Sequence, residues 1–524
     1  MATEAVALGQ VIRCTGTRVT GLLERRSIGK DRPIRVGDLV RMHTSGAEVY
    51  GVIDVLDASV PETGPLAEID LLGQALITPQ GVGRFQLGVS AHPGLGDQIL
   101  TTTAEDATKI YSRPGVTSIR LGSLYQDAAL PALVATDDLL NKHFAILGTT
   151  GSGKSCTVAL ILRRVLEANP AGHILLLDPH NEYSQAFGDQ AEVISPANLQ
   201  LPLWLLNFEE SVEVLVSKEG ADRQAQITIL KEAILDVRRS YAKEGEDTKH
   251  ITVDTPSPYR LSELLRTLNN NMGKLDKPEN SIPYLRLLGR LESLSNDRRF
   301  GFMFSGVMVR DTLAEVLSRM FRIPVRGKPI TIFDLSAVPS EIVDVVVSVL
   351  CRMMFDFALW SAQGQTVPLL LVCEEAHRYA PEQDELGFGP TKRAIARIAK
   401  EGRKYGVSVG LISQRPSELA TTIVSQCGTI FALRMGNERD QAFVQRVLPE
   451  GAQGLLRSLP TLRPQEAVVV GVAAAVPMRI TFDDLPPEFR PRSDSAHFSD
   501  LWQRDCADGL FVEQTVSRWR HQKR

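Results

Sequence analysis

Two stretches of this chain combine residue types whose spacing can do chemistry on a phosphate. In the first, Gly148-Thr149-Thr150-Gly151-Ser152-Gly153-Lys154-Ser155 fits G-x-x-x-x-G-K-[ST], a loop whose backbone N–H groups converge on phosphate oxygens. Lys154 is placed to reach β- and γ-phosphates, and the Ser155 hydroxyl to ligate Mg²⁺. The binding surface predicted is Gly148, Thr150, Gly151, Ser152 and Gly153, continuing into the helix start at Lys154, Ser155 and Cys156. In the second stretch, the apolar run Pro368 to Cys373 ends directly in Glu374-Glu375-Ala376-His377. Two carboxylates at a strand tip can divide the work. Glu374 is expected to support Mg²⁺ through its waters, and Glu375 to polarise the attacking water as general base. A further apolar run, Val407 to Ile412, ends in Ser413-Gln414-Arg415-Pro416. There the Gln414 amide can hold the γ-phosphate or the lytic water and move when the phosphate leaves.

Cations follow a pattern of their own. Arg393, Arg397, Lys400 and Lys404 recur at steps of four, three and four, which predicts one basic helical face with Arg403 beside it. Such a helix can supply an arginine finger to a neighbouring subunit's γ-phosphate, Arg403 being the first choice and Arg434 the reserve. It can also meet DNA phosphates non-specifically, while a solvated basic face is the plain alternative. The segment Leu177 to Tyr183 (LDPHNEY) ends another strand. Asp178 can organise the metal's outer shell and His180 can face a ligand, although an ordinary strand-ending turn explains the same residues.

These groups need elements to hold them. Apolar runs at 144–147, 173–178, 329–334, 367–373, 407–412 and 428–433 alternate with helical periods, the pattern of a parallel sheet covered on both faces. The long stretch of about 205–325 is helical in period and charged, and reads as a helical insertion, with exposed loops at Lys243 to Pro258 and around Asn269. Residues 1–125 read instead as short strands between turns, a small β-barrel or sandwich. Ala467 to Val472 and Met478 to Phe482 form a hairpin. The expected organisation is thus a barrel over 1–125, an ATPase core over 126–482 and a C-terminal arm over 483–524.

Composition narrows the class. The chain has 524 residues, 43% hydrophobic and 23% charged, with a net charge of −4. Any nucleic acid would therefore be met by a local basic stripe or an assembled ring. Six cysteines, among them Cys506, show no C-x-x-C pair, and nine histidines show no metal-ligand spacing. A reduced cytoplasmic chain without zinc is expected. No signal peptide is evident, and the most apolar stretch, Ile342 to Trp360, is interrupted by Asp344, Arg352 and Asp356. A buried helix is expected there, not a membrane span.

Taken in order, GTTGSGKS, DPHNEY, LLLVCEEAHRY, IAKEGRKYGVSVGLISQRPSEL and RMGNERD resemble the HerA branch of the HerA–FtsK ATPases, over roughly Leu121 to Phe482. The resemblance implies an α/β fold: a RecA-like P-loop NTPase core with helical insertion, an N-terminal β-barrel and a C-terminal arm bracing the neighbouring subunit. It implies a homo-hexamer that uses ATP and Mg²⁺ to translocate double-stranded DNA. Carried over, it puts Lys154 and Ser155 at the phosphates and Mg²⁺, with Glu375 as base, Gln414 as sensor and Arg403 acting in trans. It also points to Lys142, ahead of the P-loop strand, as a nucleotide contact, and to Arg479 and Ile480 near the base. Relatives work beside an effector, a nuclease such as NurA in DNA processing or a sirtuin-like or nuclease effector in phage defence, and the barrel is the natural docking surface. The alternative is a ring ATPase scaffold that regulates an antiviral effector without processive movement on DNA.

Overall fold

The computed structural model describes residues 5–24, 34–57, 64–79, 81–195, 198, 201–217, 219–241, 247–304, 311–336, 338, 340–361, 364–383, 387–448, 453–492, 498–503 and 509–521. Lys218, the start of the loop expected at Lys243 to Pro258, and Cys506 lie outside the described residues.

The N-terminal strands are β1 (Ala7–Cys14), β2 (Arg18–Leu23), β3 (Leu39–His43), β4 (Ala47–Asp57), β5 (Leu66–Thr78), β6 (Gly81–Leu87) and β7 (Gln98–Thr101). They are ordered β2-β1-β7-β3-β4-β5-β6, and β2 also pairs with β5. Six strands therefore close into a barrel, with β6 attached to the outside edge of β5. Closure removes the free edges that an open sheet of this size would expose. Alternate residues Val19, Gly21 and Leu23 of β2 point inward with Val11, Val40, Met42 and Ile69, the period-two pattern of a strand with one wet face.

The barrel strands end at Thr101, short of the expected 125. Thr103 and Asp106 form a capping box that starts a helix at Ala104–Tyr111, and β8 (Ser118–Leu124) already belongs to the second sheet. That sheet continues with β9 (Pro131–Ala135), β10 (Phe144–Leu147), β11 (Ile174–Asp178), β12 (Ala191–Ile194), β13 (Ile330–Asp334), β14 (Leu369–Cys373), β15 (Val407–Ser413), β16 (Thr429–Ala432), β17 (Glu466–Gly471) and β18 (Met478–Phe482). Its order is β12-β13-β11-β14-β15-β10-β16-β17-β18-β8-β9. Strands from β12 through β16 run parallel, and the remainder antiparallel.

Both faces of the parallel part are buried, as its continuous apolar runs require. Phe144, Ile146, Leu176, Val372 and Ile412 pack under the helix Lys154–Ala168. Ala145, Leu147, Leu177, Cys373 and Leu411 pack on the other side against the helix Ser340–Trp360 and the insertion. Full burial of each such Leu or Ile stabilises by about 1.5–3 kcal/mol. The insertion is helical, with helices at Phe208–Leu215, Arg223–Ser240, Leu261–Met272, Ile282–Asn296 and Leu313–Phe321. At the C-terminus, Gly509–Arg520 is a helix with no buried residue. No helix among the described residues is long and apolar enough to cross a membrane.

Barrel and core meet at an ionic seam. Arg18 bonds Asp54, Glu68 and Asp70 at 3.0, 2.9 and 2.8 Å, and Arg457 reaches Asp54 at 3.3 Å from the core side. Burial and the neighbouring Asp70 push the Asp54 carboxyl up, against the two arginines. Gly454 lies so close that a Cβ there would collide with the Asp54 carboxylate.

Candidate phosphate-binding and hydrolytic site

The P-loop is bent by its glycines. A Cβ on Gly148 would sit 2.8 Å from Leu433 Cβ and Ser152 Oγ, and Gly151 and Gly153 have φ of 74° and 95°, a region that side chains rarely enter. The loop is pinned to the end of β16: the Thr149 N–H and hydroxyl both donate to the Arg434 carbonyl, at 3.1 and 3.0 Å. It delivers the helix Lys154–Ala168, whose first N–H groups have no intrahelical acceptors. Lys154 is buried, and its Nζ donates to the Thr149 carbonyl at 3.1 Å. Burial lowers its pKa, opposed by Glu374, Glu375 and Glu182. A concentrated cation is thus held beside three acids.

At the tip of β14 the chain turns sharply, because Glu375 adopts the left-handed region at φ 51°. Strain at a non-glycine residue persists only where the surroundings enforce it, and it concentrates at functional sites. The turn sends adjacent carboxylates apart. Glu374 accepts from the Tyr183 hydroxyl at 2.7 Å, and burial pushes its pKa up to about 8. Glu375 Oε1 accepts from Gln414 Nε2, while Gln414 Oε1 accepts from the Thr150 hydroxyl. The P-loop tip, the amide just past β15 and the second acid therefore form one continuous chain of hydrogen bonds. Glu375 Oε2 and Ser152 Oγ are both buried without a hydrogen-bond partner.

His377 Nδ1 lies 3.2 Å from Glu375 Oε2 and 3.2 Å from Ser413 Oγ. Burial drives its pKa down to about 4, so at neutral pH the ring carries no charge and forms no ion pair. Its folded value lies below its ordinary 6.5. The stability linked to this is therefore fully present above 6.5 and is lost as pH falls through the folded value. Between neutral pH and about pH 5 this works against the raised Glu374 carboxyl, whose linked stability grows as pH falls, so His377 is read by difference: the thermal midpoint of nucleotide-free His377→Gln should shift upward relative to that of the unmodified chain as pH falls over this window. A constant difference between the two chains would remove His377 from the account.

Other expected residues fall in different places. The Asp178 carboxylate accepts the N–H groups of His180, Glu182 and Tyr183 at 3.2, 3.1 and 3.0 Å, so it holds the turn. Lys142 precedes β10, at the opposite rim of the sheet from the P-loop, and its Nζ bonds Asp138 at 2.8 Å. Arg403 precedes β15 at that same rim, near enough to His143 to help depress its pKa. Neither can reach the P-loop of its own chain. Arg434, the reserve finger, is at the P-loop itself. Arg479 lies over the Tyr125 ring at 3.7 Å and bonds Glu466 at 2.6 Å. It lines the hollow between barrel and core with Asp54 and Gly37, and so faces the barrel.

The basic stripe is divided as well. The helix Gly389–Glu401 ends before Lys404, which sits in the 3-10 turn Gly402–Tyr405. A Cβ on Gly402 would press on the Val407 carbonyl, and Gly406 turns left-handed into β15. Arg393 pairs with Glu209, and Arg397 with Asp356 at 3.6 Å while it stacks on Phe355. Lys400, Arg403 and Lys404 are exposed. Three contributors to the site were not singled out in the sequence for what they do: Tyr183, Glu182 acting on Lys154, and His377. The signal was their position one to five residues past an apolar strand end.

The residues fit a polyphosphate and its cation. Left-handed glycines leave a hollow in the loop, two buried oxygens there lack partners, and Lys154 faces it. Among the described residues no group of three or more metal-ligating side chains is assembled.

Comparisons with known proteins agree with this geometry. A family model described as "Helicase HerA, central domain" matches residues 119–354. The DNA double-strand break repair helicase HerA of Saccharolobus solfataricus is 28% identical over 475 residues, covering 86% of this chain and 88% of that protein. The protein of the same description from Pyrococcus furiosus is 25% identical over 430 residues, 73% of this chain and 72% of that one. Among solved structures, VirB4 of Thermoanaerobacter pseudethanolicus shares the fold at a TM-score of 0.51 and 18% identity, covering 72% of this chain and 99% of that one.

Proposed function

The chain belongs to the HerA family of helicase ATPases, and from that premise we propose that it is an ATP-driven hexameric motor on double-stranded DNA. The observation that carries this reading is the hydrogen-bond chain Thr150–Gln414–Glu375, which ties the phosphate loop to a buried acid through one amide. The loop backbone from Gly148 to Gly153, with Lys154, binds the phosphates, and Ser155 and Glu374 hold the metal side. Bound Mg²⁺ supplies charge neutralisation at the phosphate oxygens. Glu375 takes the proton of the attacking water at Oε2, the oxygen that Gln414 leaves free. Gln414 senses the γ-phosphate and passes its loss to both neighbours. The other half of the site comes from the far rim of the next subunit, through Arg403 and Lys142.

The exposed Lys400 and Lys404 meet the duplex phosphates. The barrel docks a nuclease or another effector, and the C-terminal helix braces the ring. ATP turnover with linear duplex DNA added is the test. Several-fold stimulation is expected, and turnover indifferent to DNA, alone and with the effector, would refute a motor. Arg393 and Arg397, held in pairs within the chain, favour the second reading, in which the ring regulates its effector without processive movement. Indifference to DNA with an effector still switched by ATP is its signature.

A further inference from the structure

Tyr183 is 0% exposed, a position at which a bare hydroxyl is costly unless paired. Its partner is Glu374 Oε2, at 2.7 Å. The placement is built from three directions. Strands β11 and β14 are parallel neighbours with Leu177 level with Cys373, and the Glu374 N–H donates to the Leu177 carbonyl at 3.3 Å, so the two strand tips stand side by side. Asp178 gathers the N–H groups of the turn, and Asn181 takes φ of 54°. From outside, the Arg492 N–H donates to the Glu182 carbonyl at 2.7 Å. The turn is thus fixed on both flanks, and the phenol projects from it onto the first acid of the pair.

We propose that Tyr183 is a positioning residue for hydrolysis: its hydroxyl fixes the rotamer of Glu374 and thereby sets how tightly the site retains its divalent cation. This rests on Glu374 serving the metal, as proposed above. A carboxylate that keeps only one settled orientation loses less freedom when the cation arrives. The DPHNEY turn is then part of the metal's support, through Tyr183 and not through Asp178.

The test is a double-mutant cycle on the full chain, read as the free Mg²⁺ that half-saturates ATP turnover. Tyr183→Phe keeps the ring and removes one buried hydrogen bond, so the half-saturating Mg²⁺ should rise about tenfold. Binding of a fluorescent nucleotide in EDTA should be unchanged, because Lys154 and the loop are intact. Mn²⁺, which binds this kind of site more strongly, should narrow the difference. Glu374→Ala should raise the requirement further, and Tyr183→Phe added to it should change nothing more. If Glu374→Ala leaves the Mg²⁺ requirement unmoved, its metal role falls and this proposal falls with it. If Glu374→Ala moves it but Tyr183→Phe does not, or their effects add, Tyr183 is overturned and Glu374 keeps its role. Loss of nucleotide binding in EDTA by Tyr183→Phe would overturn positioning in favour of a purely structural role.

Discussion

Glu375→Gln is expected to bind ATP at least as tightly as the unmodified chain and to turn it over more slowly by about 10²–10⁴-fold, the range of a general base. The amide cannot take a proton from water. Its carbonyl can still accept from Gln414 Nε2, the bond that holds Oε1 now, so the hydrogen-bond chain to Thr150 survives. Binding should gain because Glu375 is one of three carboxylates crowding Lys154. Removing one charge leaves the pocket more positive toward phosphate. Equilibrium binding of a fluorescent ATP analogue and single-turnover hydrolysis separate the two effects. Hydrolysis retained within a few-fold would take the base away from Glu375.

Arg403→Ala is expected to cost about 10³-fold or more in turnover, the scale of an arginine finger, and to be repaired by a chain that is itself dead. Arg403 and Gln414 flank β15 at opposite ends, and seven residues of strand span about 23 Å. The arginine therefore cannot serve the P-loop of its own chain. In a mixture of Arg403→Ala and Lys154→Ala chains, some interfaces join an intact P-loop to an intact arginine. Activity should reappear in the mixture although each variant alone is inactive. A silent mixture, with both variants shown to co-assemble, would remove Arg403 from the neighbour's site.

Much of this was legible in the chain. The six strands expected in the core stand within two residues of their apolar runs, since a strand buried on both faces must be apolar throughout and end where polar residues begin; the seventh parallel strand, β12 at the sheet edge, is short and carries Glu192, and was missed. The P-loop, the acid pair and Gln414 were readable for the same reason: each begins within two residues of the end of such a run. What escaped depended on direction and neighbours. Strands β2 and β6 carry glycines and polar residues that blur the alternation. The stripe ending at Lys404 obeyed helical spacing, but spacing does not show that the α-helix gives way to a 3-10 turn after Glu401. Arg479 sits on a strand that passes the core, and only the pairing with Glu466 and Tyr125 shows that it faces the barrel. The left-handed turn at Glu375 has no local sequence mark, because the fold imposes it.

The seam between barrel and core bears on how this protein can be recombined. Asp54 meets Arg457 and the backbone at Gly454 across a sequence separation of about four hundred residues. The barrel is continuous in sequence, but its counterpart surface is encoded near the other end. A chimera that takes its barrel from a relative would set a foreign side chain against a glycine with no room to give, and would leave Arg457 without the acid it now meets. The unit that can be exchanged is a discontinuous one, the barrel together with the short segment around 454–457. Insertions and deletions in that segment are constrained by a partner surface almost a whole chain away.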